Sequence, residues 1–231
     1  MKPFIIGLSA FFIAATPALA STDAHLSAIQ ARGDTDITNR VTSLTTLVTS
    51  VSSAKRLTSA QENELITEMQ GEITGLTSLK TSLDGDTTVA DATTDFKNIF
   101  AQHYIYAFYI PRINRILAAD DQADATAILL ALVPKIQADI TTAQSKGNDV
   151  TALQSSLTDM QSQLTSAQST VASVTTSLLP LSASGYPSNA NTVQEAAASL
   201  KSSRAQLQTA HVDANAIVNG LRSLLGTSAV Q

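Results

Sequence analysis

The chain has 231 residues, of which 44% are hydrophobic, 14% charged and 4% aromatic, and it contains neither Cys nor Trp. The lack of Cys excludes a disulfide framework, Cys-ligated zinc, iron–sulfur clusters and thiol nucleophiles. The formal net charge is −5, and no basic face of the kind that a nucleic-acid binder needs is visible. Nucleic acid is therefore not an expected partner.

Residues 1–20 have the pattern of a secretory signal peptide. Lys2 supplies the positive n-region, residues 4–15 form a short apolar h-region, and Ala18 and Ala20 give a small-x-small cleavage site before Ser21. A membrane anchor would need about 20 apolar residues, and no later stretch approaches that length. We expect an exported chain, 21–231, with no membrane span after cleavage, in the bacterial periplasm or at the cell exterior.

The spacing of apolar residues predicts an all-α fold. Between positions 150 and 178 they recur at alternating steps of three and four, a heptad pattern typical of a helix that pairs with another helix. Similar patterns predict long helices at about 23–56, 59–83, 112–146, 149–179 and 191–225. Helices near 30 residues are about 45 Å long, which predicts one elongated antiparallel bundle of about five long helices. The heptad residues are Val150, Leu153, Leu157, Met160, Leu164, Ala167, Val171, Val174 and Leu178.

Helix boundaries are marked by a few local signals. Thr58 followed by Gln61 or Glu62 predicts a capping box, and Gly147 predicts the turn of a helical hairpin. Residues 180–191 form the one clear loop. Pro134 predicts a kink or a new helix start, and Gly33 predicts a break in the first helix. Small residues beside the heptads favour a monomeric bundle, with a coiled-coil dimer as the alternative.

Aromatic residues are concentrated in one segment. Six of the seven in 21–231 fall between positions 96 and 109, and Pro111 disfavours a helical Ile110. We expect a short extended or irregular crossing near 103–111 and a helix from Arg112. The cluster is either a hydrophobic plug between helices, in which case Tyr106→Ala costs several kcal/mol, or a docking surface for a partner or ligand. Its residues are Phe100, Tyr104, Tyr106, Phe108, Tyr109, Arg112 and Arg115.

The last predicted helix places Arg204 and His211 on its apolar seam. We interpret His211 as a hydrogen-bonded core residue, and Arg204 as a polar layer or a side chain that extends to the surface. Such layers can fix the register of helix pairing.

Candidate catalytic and metal motifs are incomplete. Ser52 and Lys55 form a Ser-x-x-Lys, but the other motifs of serine acyl-enzymes are missing. No Glu-x-x-His pair for a di-iron bundle occurs. Asp84, Asp86, Thr88 and Asp95 match part of a calcium loop, but Val89 occupies the position that needs Gly. We expect no catalytic residue, no cofactor and no metal.

Two resemblances bear on function. One is local: a Leu-Thr-x-x-Gln motif resembles that of periplasmic Spy/CpxP-type chaperones, in which the Thr begins a helix. The other spans most of 21–231 and is to uncharacterised, signal-bearing helical proteins of bacteria. The local motif is Leu57-Thr58-Ser59-Ala60-Gln61. The broader likeness rests on residues 74–84, the aromatic stretch ending in Ile110-Pro111, residues 116–120, and the turn Gly147-Asn148-Asp149-Val150.

Three functional hypotheses follow. The first is a non-enzymatic structural or interaction protein of the bacterial envelope or exterior, bound to a protein or an envelope polymer. The second is a periplasmic holding chaperone, as the local resemblance implies. The third is a protein that binds a small ligand or cation, or an enzyme of unrecognised type.

Overall fold

The computed structural model describes residues 17–226, with side chains from residue 22 onward. Residues 1–16 of the predicted signal peptide lie outside this range, and the backbone of 17–21, with the predicted cleavage residues, forms the start of the first helix. Six α-helices and no strand occur within the described range, which confirms the all-α prediction. The helices are α1 (Pro17–Val51), α2 (Ser59–Gly85), α3 (Val89–Ala101), α4 (Ile110–Ser145), α5 (Thr151–Leu178) and α6 (Ala190–Leu225).

The long helices pair as antiparallel hairpins. Arg112 near the start of α4 bonds the carbonyl of Leu178 at the end of α5, and Gln137 further along α4 bonds Gln154 near the start of α5 at 3.1 Å. Opposite ends therefore meet. The heptad prediction for α5 is confirmed, because each of its heptad residues from position 157 to 178 is buried.

The core has two parts. One contains residues of α1, α2, α3, the first half of α4, the end of α5 and the start of α6. The other contains only the second half of α4, the start of α5 and the second half of α6. Helices α1 to α6 all contribute to the core at one end of the bundle. At the other end the core is built from α4, α5 and α6, with no described residue of α1 to α3. None of the helices within 17–226 is both long and apolar enough to cross a membrane.

Several predicted boundaries are confirmed. Thr58 accepts from the amide of Gln61, whose side chain in turn accepts from the amide of Thr58, so the capping box exists. This box uses the Thr and the Gln of the Leu-Thr-x-x-Gln motif. Gly147 has a φ of 84° and ends the α4–α5 hairpin turn, as αL glycines commonly do after a helix. The Asp149 carboxylate accepts from the amide of Thr151, the first residue of α5, at 3.0 Å.

The aromatic crossing is helical, which corrects the expected extended path. Residues Ile105–Tyr109 form a π-helix that runs directly into α4, and the amide of Tyr109 bonds the Tyr104 carbonyl at 3.2 Å. Ile110 has φ −60° and ψ −50°. Pro111 occupies the first turn of α4, where its fixed φ suits a helix. Ile110 is therefore helical despite the usual preference of a residue before proline.

The predicted break at Gly33 is wrong, and so is a new helix start at Pro134, the second alternative predicted there. α1 is continuous through Gly33, which is buried against another helix, and a Cβ there would clash with Leu83 Cδ2. Gly33 therefore serves helix contact and does not break the helix. α4 also runs through Pro134 without a new start. Pro134 is itself exposed, and the carbonyl that lacks its helical donor belongs to the half-buried Leu130.

The predicted seam of α6 is also wrong at two positions. Arg204 is exposed, in agreement with the alternative that its side chain extends to the surface. His211 is also exposed, so its interpretation as a core residue is wrong. The buried stripe passes through Ala196, Ser203 and Ala210 instead. Small residues carry little hydrophobic signal, but they allow close approach of helices. Gly220 shows the same effect, since a Cβ there would lie 2.5 Å from Leu153 Cδ2 on α5.

Candidate functional site

The predicted aromatic cluster divides into a buried and an exposed half. Phe108 and Tyr109 are 1% and 3% exposed, and Arg112 is 1% exposed. Phe100 and Tyr106 are 44% and 49% exposed. The first group belongs to the core, as the plug interpretation expects. Tyr106, the residue chosen to test the plug, lies at the surface instead.

The exposed half, Phe100 and Tyr106, covers Arg40 of α1, a residue that no sequence pattern marks. The Cζ atom of Arg40 lies 4.6 Å from the ring centre of Phe100 and 5.0 Å from that of Tyr106. Arg40 is 6% exposed, and its Nη1 donates to the carbonyl of Asp36 at 2.9 Å. The two rings therefore shield a cation on α1. A guanidinium against ring faces is a favourable contact, which gives these exposed aromatics a structural role.

The other two cluster residues have separate contacts. Tyr104 packs against Tyr186 of the α5–α6 loop, with ring centres 4.9 Å apart. Arg115 is half-buried and donates from Nη1 to the carbonyl of Pro111 at 2.7 Å. The structure therefore does not gather the seven predicted residues into one binding surface.

Arg112 ties three elements together in the core. Its Nε donates to the carbonyl of Leu178 at 2.8 Å and its Nη2 to that of Leu179 at 2.6 Å, at the end of α5. Its Nη1 donates to Glu68 Oε2 of α2 at 2.7 Å. Carbonyls at a helix end lack helical donors, so the guanidinium satisfies them and adds a favourable charge there. This arrangement explains a buried arginine without a ligand.

A second polar contact set lies one turn along α2. Glu72 accepts from the hydroxyl of Tyr109 at 3.0 Å and lies 2.7 Å from Nδ1 of His103. Burial and the neighbouring carboxylates of Glu72 and Glu68 raise the pKa of Tyr109 far above its usual value. A Cβ at Gly75 would lie 2.8 Å from His103 Cε1, so glycine makes room for the imidazole. The phenol stays protonated as a donor, which suits a structural contact and not a catalytic base.

Two aspartates of α4 hold the loop between α1 and α2. Asp120 is 5% exposed and accepts from the amides of Lys55, Arg56 and Leu57 at 2.6 to 2.8 Å. Asp124 accepts from Lys55 Nζ at 2.9 Å and from Arg56 Nη2 at 2.8 Å. These bonds lower the pKa of Asp124. The ammonium group of Lys55, in the Ser-x-x-Lys motif, is therefore paired with the carboxylate of Asp124.

Three adjoining clefts form a long groove between α4 and α6. Its outer part, here called the distal groove, lies between residues 129–139 of α4 and 211–222 of α6 and has a volume of about 350 Å³. Its inner end, here called the basic cleft, has a volume of about 250 Å³. A middle stretch of about 410 Å³ joins them through Arg204, Leu129 and His211. The lining of the basic cleft is Arg115, Ala118, Gln122, Ala197, Leu200, Lys201 and Arg204.

The distal groove combines an apolar floor with a charged rim. Leu129, Ile136 and Val218 are among its lining residues, together with the exposed His211. Leu132 in the groove is 43% exposed. Ile128 and Val212 on the same two helices are 56% and 64% exposed. Apart from the aromatic Phe100 and Tyr106, the large apolar side chains exposed in the described part of the chain therefore lie on α4 and α6.

No arrangement for metal chemistry is found in the part of the chain with described side chains. Groups of three or more His, Asp or Glu that could hold an ion do not occur there. Thr88, from the partial calcium-loop match, instead begins α3 by accepting from the amide of Asp91 at 3.2 Å. Burial and the charges of Asp95 and Asp91 raise the pKa of Asp86.

Comparison of the chain with protein-family models, curated proteins and solved structures finds no match. The two resemblances drawn from the sequence therefore stay predictions, and function has to be inferred from the molecule's own surface.

Proposed function

We propose that the chain is an exported, non-enzymatic interaction protein of the bacterial envelope or exterior, which binds a helix of a partner protein in the distal groove. The observation that supports this is the uncovered apolar floor between α4 and α6, with Leu132, Ile128 and Val212 exposed beside it. A trough between two helices is the usual seat of an amphipathic helix in helix-in-groove recognition.

The mainly positive charge at the rim of the groove favours a partner helix with acidic residues. Lys135 and Arg222 line the distal groove, and Arg204 follows in the middle stretch, against the single carboxylate of Asp139. Opposite charges at an interface steer encounter and fix register. The expected occupant therefore carries an apolar stripe flanked by Asp or Glu.

Site-specific photo-crosslinking tests the proposal in cells that make the protein. A crosslinking amino acid at Leu132 or Val212 should capture a protein, and mass spectrometry should map the crosslink to an amphipathic segment with acidic flanks. The same amino acid at Ser162, which is exposed on α5, serves as the control. Equal capture at Ser162, or capture of a second copy of this chain, would contradict the proposal.

The holding-chaperone alternative predicts a different result in the same experiment. A chaperone would crosslink to many clients and suppress their aggregation at equal molar ratio, whereas a dedicated partner gives one main product. The Thr58–Gln61 capping box accounts for the chaperone-like motif as a helix start, so the motif needs no client-binding role.

Export is tested separately by the mass of the purified protein. A chain recovered from the periplasm or the medium that begins at Ser21 would agree with the proposed cleavage. A cytoplasmic chain that retains Met1 would contradict it.

A further inference from the structure

The basic cleft shares Arg204 with the groove of the helix-binding proposal, but its other charged and polar residues have no part in that proposal. Arg115 and Gln122 of α4 line it opposite Lys201 and Arg204 of α6, and Leu200 contributes apolar surface. We propose that this cleft binds a phosphate group, carried by a small phosphate ester or by a lipid headgroup.

The three cations of the cleft are not neutralised by a direct ion pair with any described carboxylate. Within the described part of the chain, none of Arg115, Lys201 and Arg204 forms an ion pair. Positive charges held together without a carboxylate repel each other. In a chain with more acidic than basic residues, such a concentration favours an anion from outside.

Neighbouring acidic residues of α4 are directed elsewhere. Asp120 is bonded to the amides of the α1–α2 loop, and Asp124 is bonded to Lys55 and Arg56 of that loop. Asp121 contributes to the raised pKa of Lys55, which places it near the loop as well. The α4 side chains that line the basic cleft are Arg115, Ala118 and Gln122. The acidic residues of this part of α4 therefore face the α1–α2 loop, and Arg115 faces the cleft.

Two buried polar atoms at the cleft lack partners. Gln122 is 8% exposed, and its Oε1 is buried without a hydrogen-bond partner in the described part of the chain. The Nε of Arg115 is also buried without a hydrogen-bond partner in that part of the chain, while its Nη1 donates to the Pro111 carbonyl. Buried polar groups are nearly always paired. The unpaired Nε of Arg115 is a donor that suits an anion, whereas the unpaired Oε1 of Gln122 is an acceptor and gives an anion no bond.

These properties match phosphate better than a carboxylate. A phosphate monoester carries up to two negative charges and three acceptor oxygens, and a guanidinium binds two such oxygens at once. The volume of about 250 Å³ lies just below the range of drug-sized pockets, which suits one anionic group with a short carbon attachment. Leu200, Ala118 and Ala197 would contact that attachment.

Calorimetry with the full exported chain tests the site, using inorganic phosphate as the probe and acetate as the carboxylate comparison. Saturable one-to-one binding of phosphate, tighter than that of acetate, is expected. Arg204→Gln should weaken it about tenfold, the usual effect of losing one charged hydrogen bond. Lys146→Gln removes the same charge from the exposed end of α4 and should leave binding unchanged. Circular dichroism of each variant checks folding, and Lys201→Gln is a second surface variant with the same expected loss.

Cosedimentation with vesicles identifies the source of the phosphate. Phosphatidylcholine vesicles with and without phosphatidic acid are compared, and retention only by phosphatidic acid, lost in Arg204→Gln, assigns a lipid headgroup. The proposal is overturned by absence of phosphate binding in both assays, by acetate binding of equal strength, or by an equal loss in Lys146→Gln. Leu132→Gln in the distal groove should not change phosphate binding, so this site and the helix-binding proposal can fail independently.

Discussion

Arg112 and Glu68 form the most buried ion pair in the described part of the chain, with Nη1 2.7 Å from Oε2 and the arginine side chain 1% exposed. The same guanidinium bonds two main-chain carbonyls at the end of α5. One side chain of α4 thus joins the α1–α2 hairpin to the α4–α5 hairpin.

Arg112→Met should lower the free energy of unfolding by about 3–5 kcal/mol, because it leaves the Glu68 carboxylate and the carbonyls of Leu178 and Leu179 without their donor. Urea denaturation measures the loss. Arg56→Met, which removes an exposed partner of Asp124, should cost no more than about 1 kcal/mol. Equal losses in the two variants would contradict a special role for Arg112.

Asp120→Asn should destabilise the protein by about 2–3 kcal/mol. An amide oxygen lacks the charge that makes the bonds to the amides of Lys55, Arg56 and Leu57 strong, and a charged hydrogen bond is worth about 1.5–3 kcal/mol. Hydrogen exchange of those three amides should accelerate in the variant. The matched change at exposed Asp121 should leave their protection unchanged, and unchanged protection in Asp120→Asn would refute the clamp.

Much of the helix content could be predicted from sequence, whereas the contacts that explain its polar residues could not. The heptads of α5 and the Thr58–Gln61 cap are signals within a few residues, set by helix periodicity and backbone geometry. Arg40 contacts Phe100, which is far away in sequence. Lys55 likewise bonds Asp120, 65 positions further along the chain. Contacts of that range leave no periodic trace in one sequence. The pattern misplaces the seam of α6 for a related reason, since Ala196, Ser203 and Ala210 are buried through their small size.

The two halves of the aromatic cluster should respond differently to truncation. Phe108→Ala removes a ring that is 1% exposed and should cost about 3–5 kcal/mol. Tyr106→Ala removes a half-exposed ring and its contact with Arg40, worth about 1 kcal/mol. Thermal and urea unfolding of both variants measure the difference. A loss of several kcal/mol in Tyr106→Ala would restore the plug interpretation for that residue.

Stability should decline at alkaline pH, in part through Tyr109. The phenol of the unfolded chain ionises near pH 10, whereas the raised pKa keeps the folded phenol protonated. Its contribution is therefore complete below pH 10 and is lost as the pH rises beyond it. The pKa of Lys80, raised chiefly by hydrogen bonds to Asp34 and Asp84, acts in the same direction above its usual value.

Tyr109→Phe should accordingly flatten the decline, while the raised pKa values of Lys80 and Lys55 account for part of what remains. Urea midpoints from about pH 9 to about pH 11 measure the slope. The matched variant Tyr106→Phe, at the surface, should retain the wild-type slope. A Tyr109→Phe slope equal to that of the wild type would show that the phenol is not responsible.

The glycines of α1 and α2 should respond to alanine with opposite signs. Gly71 lies in α2, and a Cβ added there would have no atom within 4 Å, so Gly71→Ala should stabilise the protein by about 0.5–1 kcal/mol through helix propensity. Gly33→Ala places a Cβ against Leu83 Cδ2 in a packed core, and overpacking costs about 1–3 kcal/mol. Urea denaturation of the two variants compares them directly. A stabilised Gly33→Ala would mean that Leu83 moves aside freely, and that Gly33 is not needed for the contact between α1 and α2.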